Sequence, residues 1–437
     1  MSIQSRAYKL LCKLYRAVLQ KVRVRQWMME HGISIASSRT RRAEHCRPDE
    51  ALVSAEGLEP RLLLSTLKWD PDLNPGNGYG GSGTWSSASS VWYNESTQSY
   101  STLASGDTGV FEGTAGSVTV SGSVSAAGLT FTVDGYTVSG GTSVTLTGGA
   151  TISVANGTMA TVSSVIAGTA GLAKTGTGTL TLSGANTYSG NTTISAGTLK
   201  LGASGVLPDG SGKGDVTVTG TLDLNGYSET INGLSGSGTV DNTSGAGTYT
   251  LTVGGNDATT TFSGTIQDTS GTLALTKTGT GTLTLSGGSI LYAGQTTVSA
   301  GTLKLSDTAG FLSNIDNSAT VELYSSSNWQ FGTYNHVITG SGTYAKTGTG
   351  VVRFKNVVAT PSGQINIQEG TLSNDNNSCY WAGSTASMDI ASGATFDMRA
   401  DAVKVNILTG SGSIINSYGS NGTDLLTVSS GEFTGTV

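Results

Sequence analysis

The stretch LAKTGTGTLTLSG at residues 172–184 returns as LTKTGTGTLTLSG at 275–287 and, more loosely, as YAKTGTGVVRF at 344–354. The first copy continues ANTYSGNTTISAGTLKL over 185–201, and the second continues GSILYAGQTTVSAGTLKL over 288–305, one residue longer in its loop. Leu180, Leu182, Ile194, Leu199 and Leu201 alternate with Thr, Ser or Lys, and that period of two predicts half-buried strands. Each strand is about four to six residues long and ends at Gly, Asn or Ser, so no unit buries its apolar side alone. Neighbouring units must cover it. Meander barrels and sandwiches would show two-residue hairpin signals; identical strand types recurring far along the chain favour stacking like on like.

The predicted fold is therefore all-β: a right-handed parallel β-helix over residues 67–437, its coils of roughly 20 residues rising about 4.8 Å each. That makes on the order of 16 coils over 84–437, with the hand taken from the general crossover rule. Gly at corners permits positive φ, and Asn186, Asn191, Asn225 and Asn232 suit corners as well. A second module lies between the copies, TLDLNGYSETINGLSGSGTVDNTSGAGTYTLTVGG at 221–255, and returns as TFDMRADAVKVNILTGSGSIINSYGSNGTDLLTVSSG at 395–431. Phe262-Ser-Gly-Thr-Ile266 after the first is matched by Phe433-Thr-Gly-Thr-Val437 after the second, so the expectation is a chain truncated within a repeat.

Composition agrees with strands. Gly supplies 64 of 437 residues, about twice the usual share, and charged residues make up 12%, about half the usual share. So much Gly and Ser also fits a disordered chain, which the periodicity argues against. Lys and Arg outnumber acids 12 to 6 in residues 1–66, whereas acids outnumber them 23 to 11 afterwards. An acidic remainder argues against a nucleic-acid partner. Cys12, Cys46 and Cys379 make no even-numbered framework, so disulfides and structural zinc are not expected.

Residues 1–66 read as a basic leader, partly helical or disordered. Leu11, Leu14, Val18 and Val22 recur at spacings of three and four among Lys9, Lys13, Arg16, Lys21, Arg23 and Arg25. Lys13 and Arg16 interrupt the apolar stretch that a secretory signal or membrane span requires. The readings are a solvated extension, a membrane-surface helix, or a translation start at Met28 or Met29. At 56–65, EGLEPRLLLS places an acid, a Pro, an Arg and three Leu in a compact run, by itself a short helix or turn with an apolar tip. The run resembles the LEPR-XLL motif of very large surface proteins in planctomycetes and related bacteria. The resemblance implies an export or sorting role for Leu58, Glu59, Pro60, Arg61, Leu63 and Leu64.

LAKTGTGTLTLSGANTYSGNTTISAGTLKL itself is similar to the autotransporter-associated β-strand repeat, also called the passenger-associated transport repeat. The opening segment, with Trp69-Asp70-Pro71, Trp85, Trp92 and VFEGTAGSVTVSGSVSAAGLTFTVDGYTVSG from Val110, resembles the start of such passengers. The resemblance implies an extracellular or outer-membrane-associated, adhesin-like stalk whose repeats assist folding during export. Its partners would be the export machinery and cell-surface glycans or other surface proteins. The chain departs from a complete autotransporter in lacking a recognisable signal peptide and the alternating ten-residue strands of a membrane barrel.

A β-helical polysaccharide lyase or hydrolase is the rival reading, and it requires carboxylates gathered from adjacent coils. His31, His45 and His336 are the only imidazoles, and no nucleophile elbow, phosphate loop or zinc-protease motif occurs. No cofactor or metal is expected. Asp397, Arg399 and Asp401, two apart, are expected on one strand face as a solvated ion-pair ladder. Asp70, Asp72 and Asn74 open like a calcium loop, but Gly81 stands where a bidentate Glu belongs. Lys174, Lys277 and Lys346 share a repeat position and are read as exposed turn lysines that discourage edge pairing, against a cationic binding strip. Thr177, Thr179 and Thr181 form the kind of array used on ice-binding solenoids; once per long repeat, it makes no continuous plane. Tyr188 and Tyr292 are expected to pack at corners, with sugar stacking as the alternative.

Overall fold

Apolar residues recur every second position in strands that are mostly two to six residues long, so each offers a narrow inward stripe that the next coil must extend. The computed structural model describes residues 65–437 except 309, 333–335, 376–378, 400 and 419–424. The leader up to residue 64, with Leu58, Glu59, Pro60, Arg61, Leu63 and Leu64, lies outside the described residues. Among the described residues the elements are strands, with a single 3-10 turn at Pro75–Asn77. They wind as a parallel β-solenoid of about 14 turns.

Coils are longer than expected in places, which explains fewer turns. Leu172 pairs with Thr192, Thr192 with Val216 and Val216 with Leu234, advances of 20, 24 and 18 residues. The chain passes three faces per coil. The first holds the ladder Leu172–Thr175, Thr192–Ile194, Val216–Val218, Leu234–Gly236, Thr260–Phe262 and Thr282–Leu285. The second holds a ten-stranded ladder from Gly83–Ser86 to Ser289–Ile290 and a five-stranded one from Asn328–Phe331 to Ser413–Ile415. Phe311 joins these two ladders, packing on Tyr292 and Phe331 with centroids 6.1 and 5.8 Å away. The third holds a seven-stranded ladder from Glu229–Ile231 to Val357–Ala359.

Inside, like stacks on like. Leu180, Leu199, Leu222 and Val240 lie in register on successive coils, each fully buried. At about 25 cal/mol per Å² of apolar surface, a buried Leu contributes about 2 kcal/mol, and every rung repeats it. Where third-face strands fail, side chains replace the ladder. Asn186 Oδ1 accepts from Ile166 N at 2.7 Å and its Nδ2 donates to Val206 O at 2.9 Å. The Glu229 carboxylate then accepts from Val206 N and Leu207 N at 3.0 and 3.3 Å. Burial pushes that carboxyl up to about 7.

The opening departs from the all-parallel expectation. Thr66–Trp69 pairs parallel with Thr108–Phe111 but antiparallel with Trp92–Asn94, which pairs antiparallel with Ser99–Ser101. Trp92 contacts Trp69, Trp85 and Phe111 edge-on at 5.2, 5.3 and 5.4 Å between centroids. Large aromatics fill this part of the core where the middle coils rely on Leu, Ile and Val, and they return with Phe311, Trp329, Phe331, Phe354, Trp381 and Phe396.

Candidate functional site

The repeated lysine lies at the corner that ends each KTGTG strand. Leu172 faces the core, and Lys174, two residues later, points the same way. Lys174, Lys277 and Lys346 are 0%, 1% and 2% exposed, so the reading of exposed turn lysines is overturned. The signal was in the sequence: each lysine is in phase with an inward Leu275, Leu172 or Tyr344. Lys174 Nζ donates to the carbonyls of Thr175, Gly176 and Ala196 at 2.8, 2.8 and 3.1 Å. Lys277 donates to Thr278 O, to Gly279 O at 2.8 Å and to Ala300 O at 3.3 Å. Lys346 repeats the pattern on Thr347, Gly348 and Glu369 at 2.7, 2.6 and 3.1 Å.

Two of those acceptors belong to the lysine's own turn and the third to the coil that follows. An ammonium thus satisfies buried corner carbonyls; of these, Thr347 O also accepts from Ser325 N at 3.2 Å. Burial pushes Lys174 and Lys346 down to about 8 and lowers Lys277 as well. The glycine beside each lysine is required by geometry. Gly176 and Gly279 have φ of 68° and 64°. A Cβ there would lie 2.2 Å from Val154 O and 2.0 Å from Gly254 O.

Acids close the second module in a related way. Asp223 accepts from Thr243 N at 3.1 Å and Thr243 Oγ1 at 2.7 Å, one coil on. Asp241 does the same with Thr269 at 2.9 and 2.7 Å, and Asp397 with Ser417 at 3.0 and 2.6 Å. Asp397, Arg399 and Asp401 therefore do not share a strand face: the strand ends at Asp397, and Arg399 turns away at φ 45° over the Tyr418 ring. Asp401 is buried elsewhere and accepts from Cys379 N at 3.4 Å.

The remaining candidates resolve into packing and turns. Asp72 accepts from Asn74 N and Asn77 Nδ2 at 3.1 and 2.8 Å, Asn74 caps the 3-10 turn, and Asp70 accepts from the Tyr100 hydroxyl. Among the described residues no group of three or more His, Cys, Asp or Glu side chains gathers as metal ligands. Tyr188 and Tyr292 are buried, their hydroxyls 2.6 Å from Thr192 and Thr296, so they pack at corners and present no ring to sugars. His336 is buried against Phe311 and Phe331.

The threonine array is more continuous than expected. Thr179, Thr198, Thr221, Thr239 and Thr265 form one file over consecutive coils, because each second-face strand begins after a Gly with Thr. The neighbouring file runs Thr181, Lys200, Asp223, Asp241, so charges break the second row. Lys200 pairs with Asp223 at 3.5 Å on that file, and its repeat counterpart Lys304 pairs with Glu322 at 2.8 Å.

The family model described as a passenger-associated-transport-repeat matches residues 172–201 and 275–305, the two stretches that carry Lys174 and Lys277. A curated relative, the adhesin BmaC autotransporter of Brucella suis biovar 1 (strain 1330), is 34% identical over 167 residues. That alignment covers 36% of this chain and 5% of the relative, so the chain spans a small part of the protein it matches. No solved structure matches. The chain is thus a β-solenoid with two stretches that match the passenger-associated transport repeat.

Proposed function

We propose that this chain is a non-enzymatic, surface-exposed stalk or passenger module with an adhesin-like role, its repeats assisting folding during export. The carrying observation is the lysine corner: an ammonium buried on carbonyls of its own turn gains its third acceptor only when the next coil arrives. A coil with that corner is held more firmly once its successor is laid down, so order propagates along the stack. An extracellular or outer-membrane-associated location and passage through export machinery are in keeping with the transport repeats and the adhesin relative. Cell-surface glycans or other surface proteins are the partners of this reading, and the Leu58, Glu59, Pro60, Arg61, Leu63 and Leu64 segment is its sorting signal.

Against a lyase or hydrolase, the stacked acids Asp223 and Asp241 spend their oxygens on Thr243, Thr269, Gln267 and Lys200. The test has two arms. Protease added to intact native cells should digest the chain while a cytoplasmic marker survives. Acidic polysaccharides incubated with the purified chain should stay intact; protection from protease, or release of oligosaccharides, overturns the reading.

A further inference from the structure

The third copy of the lysine motif departs from the other two where its strand turns outward. Seven residues beyond the lysine, Thr181 and Thr284 become Arg353, in Val351–Phe354. That strand pairs with Asn328–Phe331 in register, Asn328 beside Val351 and Gln330 beside Arg353. Trp329, Phe331, Val352 and Phe354 face the core, which leaves Asn328, Gln330, Val351 and Arg353 outward. These two coils begin the second ladder of the second face. Among the described residues the preceding coil carries no strand on that face, where Phe311 packs between Tyr292 and Phe331 and Trp329 Nε1 donates to Thr308 O. A pocket of about 90 Å³ lies against these two strands, lined by Asn328, Trp329, Gln330, Val351 and Arg353.

Electrostatics single this pocket out. Lys200 and Lys304 each meet an acid on the next coil, but the rung after Arg353 offers Ser373, whose hydroxyl is spent on Asn374 O. No ion pair among the described residues involves Arg353, and its Nε is buried without a hydrogen-bond partner. A guanidinium with no acid opposite it in an otherwise acidic chain can take a carboxylate on its outer Nη groups. The two amides beside it both donate and accept, with Gln330 Nε2 also reaching Gly332 O at 3.5 Å, which suits hydroxyls flanking a carboxylate. The pocket is small, so a carboxylate would enter it with the rest of the ligand outside.

We propose that Asn328, Gln330 and Arg353 form a recognition site for the carboxylate of a uronate residue in an acidic glycan. The inference deepens the adhesin-like reading and rests on it, yet its test needs only the purified full chain. Titration by calorimetry with oligogalacturonate should show binding that falls about tenfold or more on methyl-esterification of the sugar. Arg353→Thr restores the residue of the other two copies, so the coil has a precedent for folding; it should lose about tenfold in affinity with an unchanged circular dichroism spectrum. Arg353→Lys should lose severalfold, since a point charge replaces a fork. Equal binding by the esterified sugar, by Arg353→Thr, or by a polyglutamate peptide would overturn the assignment; the first two remove the carboxylate and the arginine, the third removes the sugar. Failure here with the chain still shaved from intact cells would leave the stalk reading standing, whereas protection from protease would strike that reading alone.

Discussion

The two matched repeats are nearly one sequence, yet they sit on different faces of the solenoid. Leu172–Thr175 lies in the first-face ladder and Thr179–Leu182 in the second; in the later copy the Lys277 strand lies in the third-face ladder and Thr282–Leu285 in the first. Their lysines nevertheless bind the same three carbonyls, and Lys200 and Lys304 each reach an acid one coil on. The repeat therefore specifies a corner with its two flanking strands, and does not specify which face they occupy. A spacing of 103 residues between the copies, which is not a whole number of coils, follows from that freedom.

If the corner is the unit, equivalent changes in the two copies should cost the same. The largest effect is expected for Lys174→Ala and Lys277→Ala, each opening a cavity and orphaning three carbonyls, at roughly 3–5 kcal/mol. Denaturant melts combined with hydrogen exchange of the adjoining coils would check it; a difference above about 1 kcal/mol would say that the face matters. The same lysines carry a pH signature. Their folded pKa values lie below the ordinary lysine range, at about 8 for Lys174 and Lys346, so between there and pH 10 the unfolded chain binds more protons. Stability should rise with pH across that window and stop doing so in Lys→Met variants. Above pH 10 the buried Tyr188 and Tyr292, whose pKa values are raised by burial, work in the opposite direction.

Next comes the turn. Gly176→Ala and Gly279→Ala force a Cβ onto the carbonyl of the coil below at positive φ, for roughly 2–3 kcal/mol each. The smallest effect sharpens the comparison from the other side. The later copy has one additional loop residue, and Gly288 sits in open space, with no atom within 4 Å of a Cβ built on it. Inserting a Gly after Gly184 should cost below about 0.5 kcal/mol in a thermal melt. A larger loss would mean that the loops, and not only the corners, are register elements.

The burial of Lys174 shows where reading the residues stopped short. Period two placed it inward beside Leu172, but chemical expectation for a charged side chain overrode the phase, because its compensating carbonyls come partly from a residue 22 positions away, Ala196. The Asp223 clasp was hidden for the same reason: Thr243 stands 20 residues on and becomes a neighbour only after stacking. Arg353 left no mark at all, since a cation is notable only when the rung beside it holds no acid.

Amphipathic alternation, glycine punctuation and self-similarity determined by themselves that this chain stacks short strands into a solenoid, because those properties are local and repeat along the backbone. Tertiary structure alone decided which face each repeat occupies, which carbonyls meet a buried ammonium and which cation is left open. Those outcomes depend on coil lengths that, past the longer opening coil, vary from 18 to 26 residues, as the Val216–Leu234 and Gly236–Phe262 pairings show, and so on neighbours that only folding brings together.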